Sequence, residues 1–220
     1  MPLRIAVDGP AGSGKSTISK IIAEKLNLIY IDTGAMYRAC AYISIKYALD
    51  DASLVDKLQN CDILFRKDGQ CQRVILEIDS DELDVTDEIR GAEVTAKVPE
   101  TSKIKEVREI LTRKQQEIAS KNDVIMDGRD IGTVVIPDAE YKFYLDASAE
   151  ERAKRRFDEL KDKGEDVNFE DVLRSVIKRD FEDMNREIAP LRKADDAILI
   201  DTSNMTIDEV ANKILERVLD

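Results

Sequence analysis

The sequence predicts an α/β fold: a P-loop, doubly wound parallel sheet with helices on both faces and a small β-containing insertion. Three observations carry that reading. Short apolar runs alternate with stretches of helical periodicity, a glycine-rich loop follows the first run, and one internal segment changes to the rhythm of a hairpin. Strands separated by helices pair in parallel, because each crossover lays a helix on the sheet. A chain of 220 residues suits one compact domain with an insertion.

Each element follows in order. Leu3 to Val7 reads as a strand ending in Asp8-Gly9, and Ser16 to Leu26 as a helix on which Ile18, Ile21, Ile22 and Leu26 recur at helical spacing. Leu28 to Ile31 reads as a strand and Ala35 to Leu49 as a helix. Asp62 to Lys67 and Gln72 to Ile78 are strand-like, with Asp68-Gly69 as a hairpin turn signal. About 60–100 therefore reads as the inserted subdomain, and a helix from Lys103 to Ala119 leads back to the sheet. Strands at Asp123 to Met126, Lys142 to Leu145 and Ala197 to Ile200 then alternate with helices at Ala149 to Leu160, Phe169 to Ile188 and Ile207 to Leu219. The charge-dense stretch Asp158 to Asp171, with Gly164 inside it, suits an exposed mobile connection or a solvated helix end.

Composition narrows the function classes. At 43 % hydrophobic and 36 % charged, the chain can bury a core and is not a disordered tail. Its net charge of −12 argues against a nucleic-acid or anionic-membrane surface protein. No apolar run approaches the roughly 18 residues of a membrane span, and the first apolar run is too short for a secretory signal. Cys40, Cys61 and Cys71 are odd in number and show no C-x-x-C spacing, so neither a disulfide framework nor a zinc site is indicated and a reducing cytoplasm is expected. There is no histidine at all. Ser-His-Asp hydrolysis, Cys-His proteolysis and His-based zinc catalysis are thereby excluded. Any chemistry must use lysine, arginine, carboxylates, hydroxyls, backbone amides or a borrowed ion.

Gly9-Pro10-Ala11-Gly12-Ser13-Gly14-Lys15-Ser16 satisfies G-x-x-x-x-G-K-[S/T], and Thr17 follows. Glycines permit φ > 0 and let backbone N–H groups approach phosphate oxygens. The following helix presents its positive end to the same anion. Lys15 supplies a point charge for the β/γ-phosphates, and the Ser16 hydroxyl can ligate Mg²⁺. The expected ligand is a nucleoside triphosphate.

A second constellation points to transfer of a phosphoryl group. Asp127-Gly128-Arg129-Asp130 follows the apolar strand Val124-Ile125-Met126, and ligands of open α/β sheets collect at the carboxyl ends of strands. Asp127 can hold a Mg²⁺ water and Arg129 can clamp a phosphate bidentately. Arg152, Arg155 and Arg156 share one helical face, as do Arg179, Asp183 and Arg186; in so acidic a chain these arginines could also be ordinary salt-bridge partners, Arg155 as readily as not. Two like charges about 4 Å apart repel by roughly 4 kcal/mol at an effective dielectric of 20, so bringing two phosphates together calls for several cations. A phosphate-monoester acceptor, with a second pKa near 6, arrives already nucleophilic and needs no general base. An alcohol acceptor would call for a carboxylate, for which Asp32 or Asp130 would serve.

These residues resemble a known family. Ile5 to Thr17, Asp32-Thr33-Gly34-Ala35-Met36-Tyr37-Arg38, Asp127 to Val135, Leu145-Asp146-Ala147-Ser148 with Glu150-Glu151-Arg152-Ala153, and Arg179-Asp180 through Asn185-Arg186 are similar to bacterial cytidylate kinases, in the same order along the chain. The resemblance is weakest from about residue 45 to 95. It implies transfer of the γ-phosphoryl of ATP to CMP or dCMP with Mg²⁺, the insertion covering the monophosphate and a helical lid at about 152–190. By the same resemblance Asp32 and Arg38 help bind the acceptor, with Arg38 and Arg129 on its phosphate. Arg179 and Asp183 contact the ribose in the motif that ends at Arg186, Arg108 and Asp130 read the base, and Arg152 to Arg156 close over the transferring group. Cytosine offers an N4–H₂ donor that a carboxylate accepts, whereas uracil offers an oxygen that it repels; Asp130 is thus expected to select cytosine.

One departure stands out. Pro99 falls where the family often carries a serine that touches the pyrimidine, so either Thr101 or Ser102 substitutes or base recognition is looser. The rival readings are a small-molecule kinase with another monophosphate or an alcohol as acceptor, and a P-loop switch NTPase. The switch lacks its guanine-reading N-K-x-D, since Asn212-Lys213-Ile214-Leu215 has no aspartate. A monomer acting on small molecules is expected.

Overall fold

The computed structural model describes residues 2–68 and 71–219. The expected turn at Asp68-Gly69 falls partly on Gly69, outside the described residues. The chain forms two compact units, one built from the residues up to Tyr30 together with those from Ile118, the other Ile31–Glu117.

The first unit is organised by a parallel sheet. Its strands are β1 (Arg4–Asp8), β2 (Ile29–Asp32, where the chain leaves for the second unit), β6 (Val124–Gly128), β7 (Tyr141–Asp146) and β8 (Ile198–Asp201), in the order β2-β6-β1-β7-β8. β1 is central, its last four residues buried, and pairs in parallel with β6 and β7 so that Asp8 lies beside both Gly128 and Tyr144. The strand order reverses direction around β1, which makes its carboxyl end the switch point where such sheets bind ligands.

Helices α1 (Lys15–Leu26) and α8 (Ile207–Leu219) pack on this sheet. Ile18 and Ile22 of α1 meet Val210, Ala211 and Ile214 of α8 over Ile5, Val7, Ile125, Phe143, Leu145 and Ile200. The i, i+4 spacing of those residues puts them on one stripe, and burying each large aliphatic side chain stabilises by about 1.5–3 kcal/mol. Helices α6 (Ala149–Asp162) and α7 (Phe169–Asn185) form a hairpin of their own, with Ala153, Val172 and Val176 at its core and Phe157 edge-on to Phe169 at 6.0 Å. Most of the charge-dense stretch is therefore helical, capped by Ser148 and Asn168; only 163–168 connect, turning at Gly164 with φ 78°. α7 ends three residues before Ile188, where Arg186 takes an extended backbone and its Nε donates to the Ala189 carbonyl.

The second unit holds α2 (Thr33–Lys46), α3 (Asp51–Gln59), the antiparallel strands β3 (Cys61–Asp68), β4 (Cys71–Ile78) and β5 (Asp81–Asp84), α4 (Ala92–Thr101) and most of α5 (Lys105–Lys121). α2 stops at Lys46, short of Leu49, because Ala48 turns left-handed and the Leu49 N–H returns to the Ser44 carbonyl. Across β3 and β4, Ile63 faces Leu76 and Phe65 faces Val74. β5 reads Asp-Glu-Leu-Asp and has no apolar alternation; backbone pairing to β4 through a tight turn at Asp79-Ser80, both with positive φ, makes it a strand. α3 is short and buries only Leu54 and Leu58, and α4 continues past Pro99 to Thr101.

Candidate active site

Three glycines shape the loop after β1. Gly9, Gly12 and Gly14 have φ of 145°, 78° and 89°, conformations that L side chains rarely adopt. A Cβ on Gly9 would stand 2.0 Å from the Leu145 carbonyl oxygen, and one on Gly12 would stand 3.1 Å from the Arg152 Cβ. The loop thus wraps against the end of β7 and the start of α6. It opens α1 without a side-chain cap or a first-turn acid, whereas Asp32, Asp50, Ser148 and Asn168 cap α2, α3, α6 and α7. An uncapped helix start leaves backbone N–H groups for an anion.

Lys15 is buried in the loop, its Nζ donating to the Pro10 carbonyl at 2.6 Å and reaching the Ser13 hydroxyl at 3.4 Å. Burial pushes its pKa well below the usual lysine range, the Arg129 guanidinium and then Arg179 push the same way, and Asp127 and Asp8 oppose them. Ser16 donates to Asp127 Oδ2 at 2.9 Å and Tyr30 donates to Oδ1 at 2.6 Å. These hard oxygen donors suit Mg²⁺, which is held by one or two carboxylate or hydroxyl oxygens plus phosphates and waters. Among the described residues no group of three His, Cys, Asp or Glu could hold a metal alone. Thr17 is exposed on the first turn of α1.

The arginines divide by task. Arg129 Nε donates to Asp183 at 2.9 Å, bringing together the end of β6 and α7. Arg186 lies 3.4 Å from buried Asp130 and 3.9 Å from Asp183. Buried Arg152 donates to the Ala147 carbonyl (2.8 Å), the Ala11 carbonyl (3.2 Å) and Asp180 (2.6 Å). Arg155 reaches the Gly12 carbonyl at 3.4 Å and the Thr202 carbonyl at 2.6 Å. Arg156 turns instead to Glu159 at 2.8 Å, and Arg179 is exposed on α7.

The other expected residues lie in the second unit. Asp32 caps α2 through the Ala35 N–H and pairs with Arg38 at 2.8 Å. Arg108 is buried with its guanidinium 5.2 Å from the Tyr37 ring centre, and it donates to the Ser102 carbonyl at 3.4 Å. Both hydroxyls beyond Pro99 give their protons to their own helix, Thr101 to the Lys97 carbonyl and Ser102 to the Pro99 carbonyl. They keep acceptor capacity only.

Sequence reasoning passed over several residues of this arrangement. The motifs above include Asp8 and Asp180 without a role for either, and Tyr30 and Thr202 lie outside them; Asp8 ends β1 and Thr202 follows β8, and a place at the carboxyl end of a parallel strand is the signal that would have found both. Thr202 bonds the Ser13 and Asp146 carbonyls. Residues 131–135 form a turn of π-helix with no counterpart in the expected elements.

The model of a family described as cytidylate kinase matches residues 5–220. A cytidylate kinase of Caldicellulosiruptor saccharolyticus is 51 % identical over 217 residues, covering 97 % of this chain and 94 % of that protein. One from Bacillus velezensis is 50 % identical over 219 residues, covering 98 % and 96 %. Among solved structures, a shikimate kinase of Bacteroides thetaiotaomicron superposes with a TM-score of 0.50 at 14 % identity, covering 99 % of each chain, a likeness of fold alone.

Proposed function

The chain belongs to the cytidylate kinase family, and from that membership we propose how its residues carry the phosphorylation of CMP and dCMP. The supporting observation is the gathering of cations at one loop: the Arg129 and Arg179 guanidinium groups both add to the cost of charging buried Lys15 there. Like charges held together in this way weaken the fold and become favourable once a polyanion arrives.

ATP binds with its phosphates on the 9–17 loop, where a phosphate oxygen replaces the Pro10 carbonyl as the partner of Lys15. Ser16 and Asp127 would hold Mg²⁺, which would neutralise phosphate charge. The acceptor phosphate meets Arg38 and Arg129. Its oxygen is already ionised at neutral pH, so it attacks the γ-phosphorus in line with no histidine and no general base, while the bond to the β–γ bridging oxygen breaks and ADP leaves. Arg152 and Arg156, on a lid at about 152–190, stabilise the transferring group and exclude water. Asp32 helps position the acceptor, Arg179, Asp183 and Arg186 serve the ribose end, and Arg108 and Asp130 read cytosine. The insertion at about 60–100 covers the monophosphate. The enzyme so described is a monomer acting on small molecules in the cytoplasm.

Base reading is tested directly by Asp130→Asn. The amide presents a donor as well as an acceptor, so the ratio of kcat/KM for CMP over UMP should fall at least about tenfold, the effect of one lost polar contact of about 1.4 kcal/mol. An unchanged ratio removes Asp130 from that role.

A further inference from the structure

A fully buried carboxylate at the end of the central strand has no part in the transfer described above. Both oxygens of Asp8 accept backbone N–H bonds from the start of the π-helical turn, Oδ1 from Ile131 at 2.8 Å and Oδ2 from Gly132 at 2.7 Å. The two amides directly follow Arg129 and Asp130. The fit at Gly132 is close: a Cβ there would lie 3.2 Å from Lys142 Cδ and 3.4 Å from Asp8 Oδ2.

We infer that Asp8 is a positioning residue which, by gripping the 131 and 132 amides, sets the direction in which Arg129 and Asp130 leave the end of β6. The physical case rests on geometry. A five-residue π-turn is a poor structure in isolation, and its first N–H groups have no partner within it. One carboxylate satisfying two of them, from a strand buried in the sheet, ties the turn to the most rigid element of the unit. A peptide so pinned cannot rotate, and rotation there would swing the preceding Asp130 carboxylate and Arg129 guanidinium together. Misplacement of a reacting or recognising group by about 1 Å can cost 10²-fold in rate. Asp8 touches neither phosphate nor base in this scheme and acts only through its neighbours.

The inference rests on the roles proposed for Arg129 and Asp130. Asp8→Asn keeps the shape but turns an NH₂ toward one of the two amide donors. It should lower kcat with CMP about 100-fold and bring the CMP-over-UMP ratio down toward that of Asp130→Asn. Gly132→Ala, which crowds the same grip from the other side and is a smaller insult to folding, should move both quantities in the same direction by a smaller factor. A residue with only a structural role would reduce the amount of folded enzyme and leave the ratio per folded molecule alone. If both variants keep wild-type kcat and wild-type selectivity per folded molecule, Asp8 positions nothing. Should Asp130→Asn move the ratio while these two do not, the Asp8 inference fails and base reading stands. Should Asp130→Asn leave it unmoved while Asp8→Asn still lowers kcat, base reading fails and the grip on Arg129 stands.

Discussion

Replacing Asp180 should expose how much the α6–α7 hairpin depends on one buried pair. Arg152 and Asp180 meet at 2.6 Å with side chains only 6 % and 12 % exposed. Their gross attraction at that distance is roughly 6 kcal/mol at an effective dielectric of 20, before the cost of desolvating both. Breaking such a pair from one side leaves a buried charge uncompensated, at a cost of about 3–5 kcal/mol. Arg152 cannot swing freely to water, because its other donors hold the Ala147 and Ala11 carbonyls. Asp180→Ala should therefore lower the melting temperature by about 6–20 °C for a chain of this size. Asp180→Asn should lose less, since it keeps an acceptor for Arg152. Combining Asp180→Leu with Arg152→Met should recover much of the stability while leaving phosphoryl transfer impaired. Chemical-denaturation midpoints and kcat on the same preparations separate the two effects. An Asp180→Ala protein as stable as wild type, or a double variant no more stable than the single, would show that the pair is not the tie described.

Two other outcomes follow from the loop and from Asp8. Gly9→Ala, with a Cβ due 2.0 Å from the Leu145 carbonyl at a φ of 145°, must displace the loop from the end of β7; kcat/KM for ATP should fall by at least about 100-fold with the far-ultraviolet circular dichroism unchanged. For Asp8, burial raises the carboxyl pKa to about 6, with Asp130 acting the same way and the Gly132 and Ile131 N–H groups and Lys15 opposing it. An unfolded aspartate titrates near about 3.9. The folded state therefore holds this proton more tightly, so the stability contribution of Asp8 grows as pH falls from about 6 to about 4 and is lost again as pH rises through that window. The difference in unfolding free energy between wild type and Asp8→Asn should shift toward wild type by up to about 3 kcal/mol between pH 7 and pH 4. A difference flat with pH contradicts the burial of a titrating carboxylate.

The parts of the fold legible in the sequence were those whose signal is local. Ile18 and Ile22 mark the face α1 buries, and the apolar runs of β1, β6 and β7 mark a sheet covered on both faces. The phosphate loop was legible for the same reason, since its glycines, Lys15 and Ser16 are contiguous. What stayed hidden depends on distant partners. β5 is a strand only because Leu83 pairs with Leu76, and nothing in its own charged residues says so. α4 runs through Pro99, where the lost N–H bond falls close to the helix end and the turn closes through Ser102 onto Val98. Asp8, Tyr30 and Asp180 are ordinary residues until the sheet and the α6–α7 hairpin bring Gly132, Asp127 and Arg152 to them. The same holds for the arginines: spacing placed Arg152, Arg155 and Arg156 on one face, but only the fold sends the first two to the loop carbonyls and the third to Glu159.

The central claim is that this site joins two phosphate groups and draws its nucleophile, already ionised, from the acceptor. The most direct measurement is ADP release from ATP with CMP, dCMP, UMP, AMP and the phosphate-free nucleoside cytidine as acceptors. CMP and dCMP should accelerate release far above the ATP-only rate, UMP and AMP much less, and cytidine not at all. Acceleration by cytidine equal to that by CMP would contradict the claim, as would no response to either pyrimidine monophosphate.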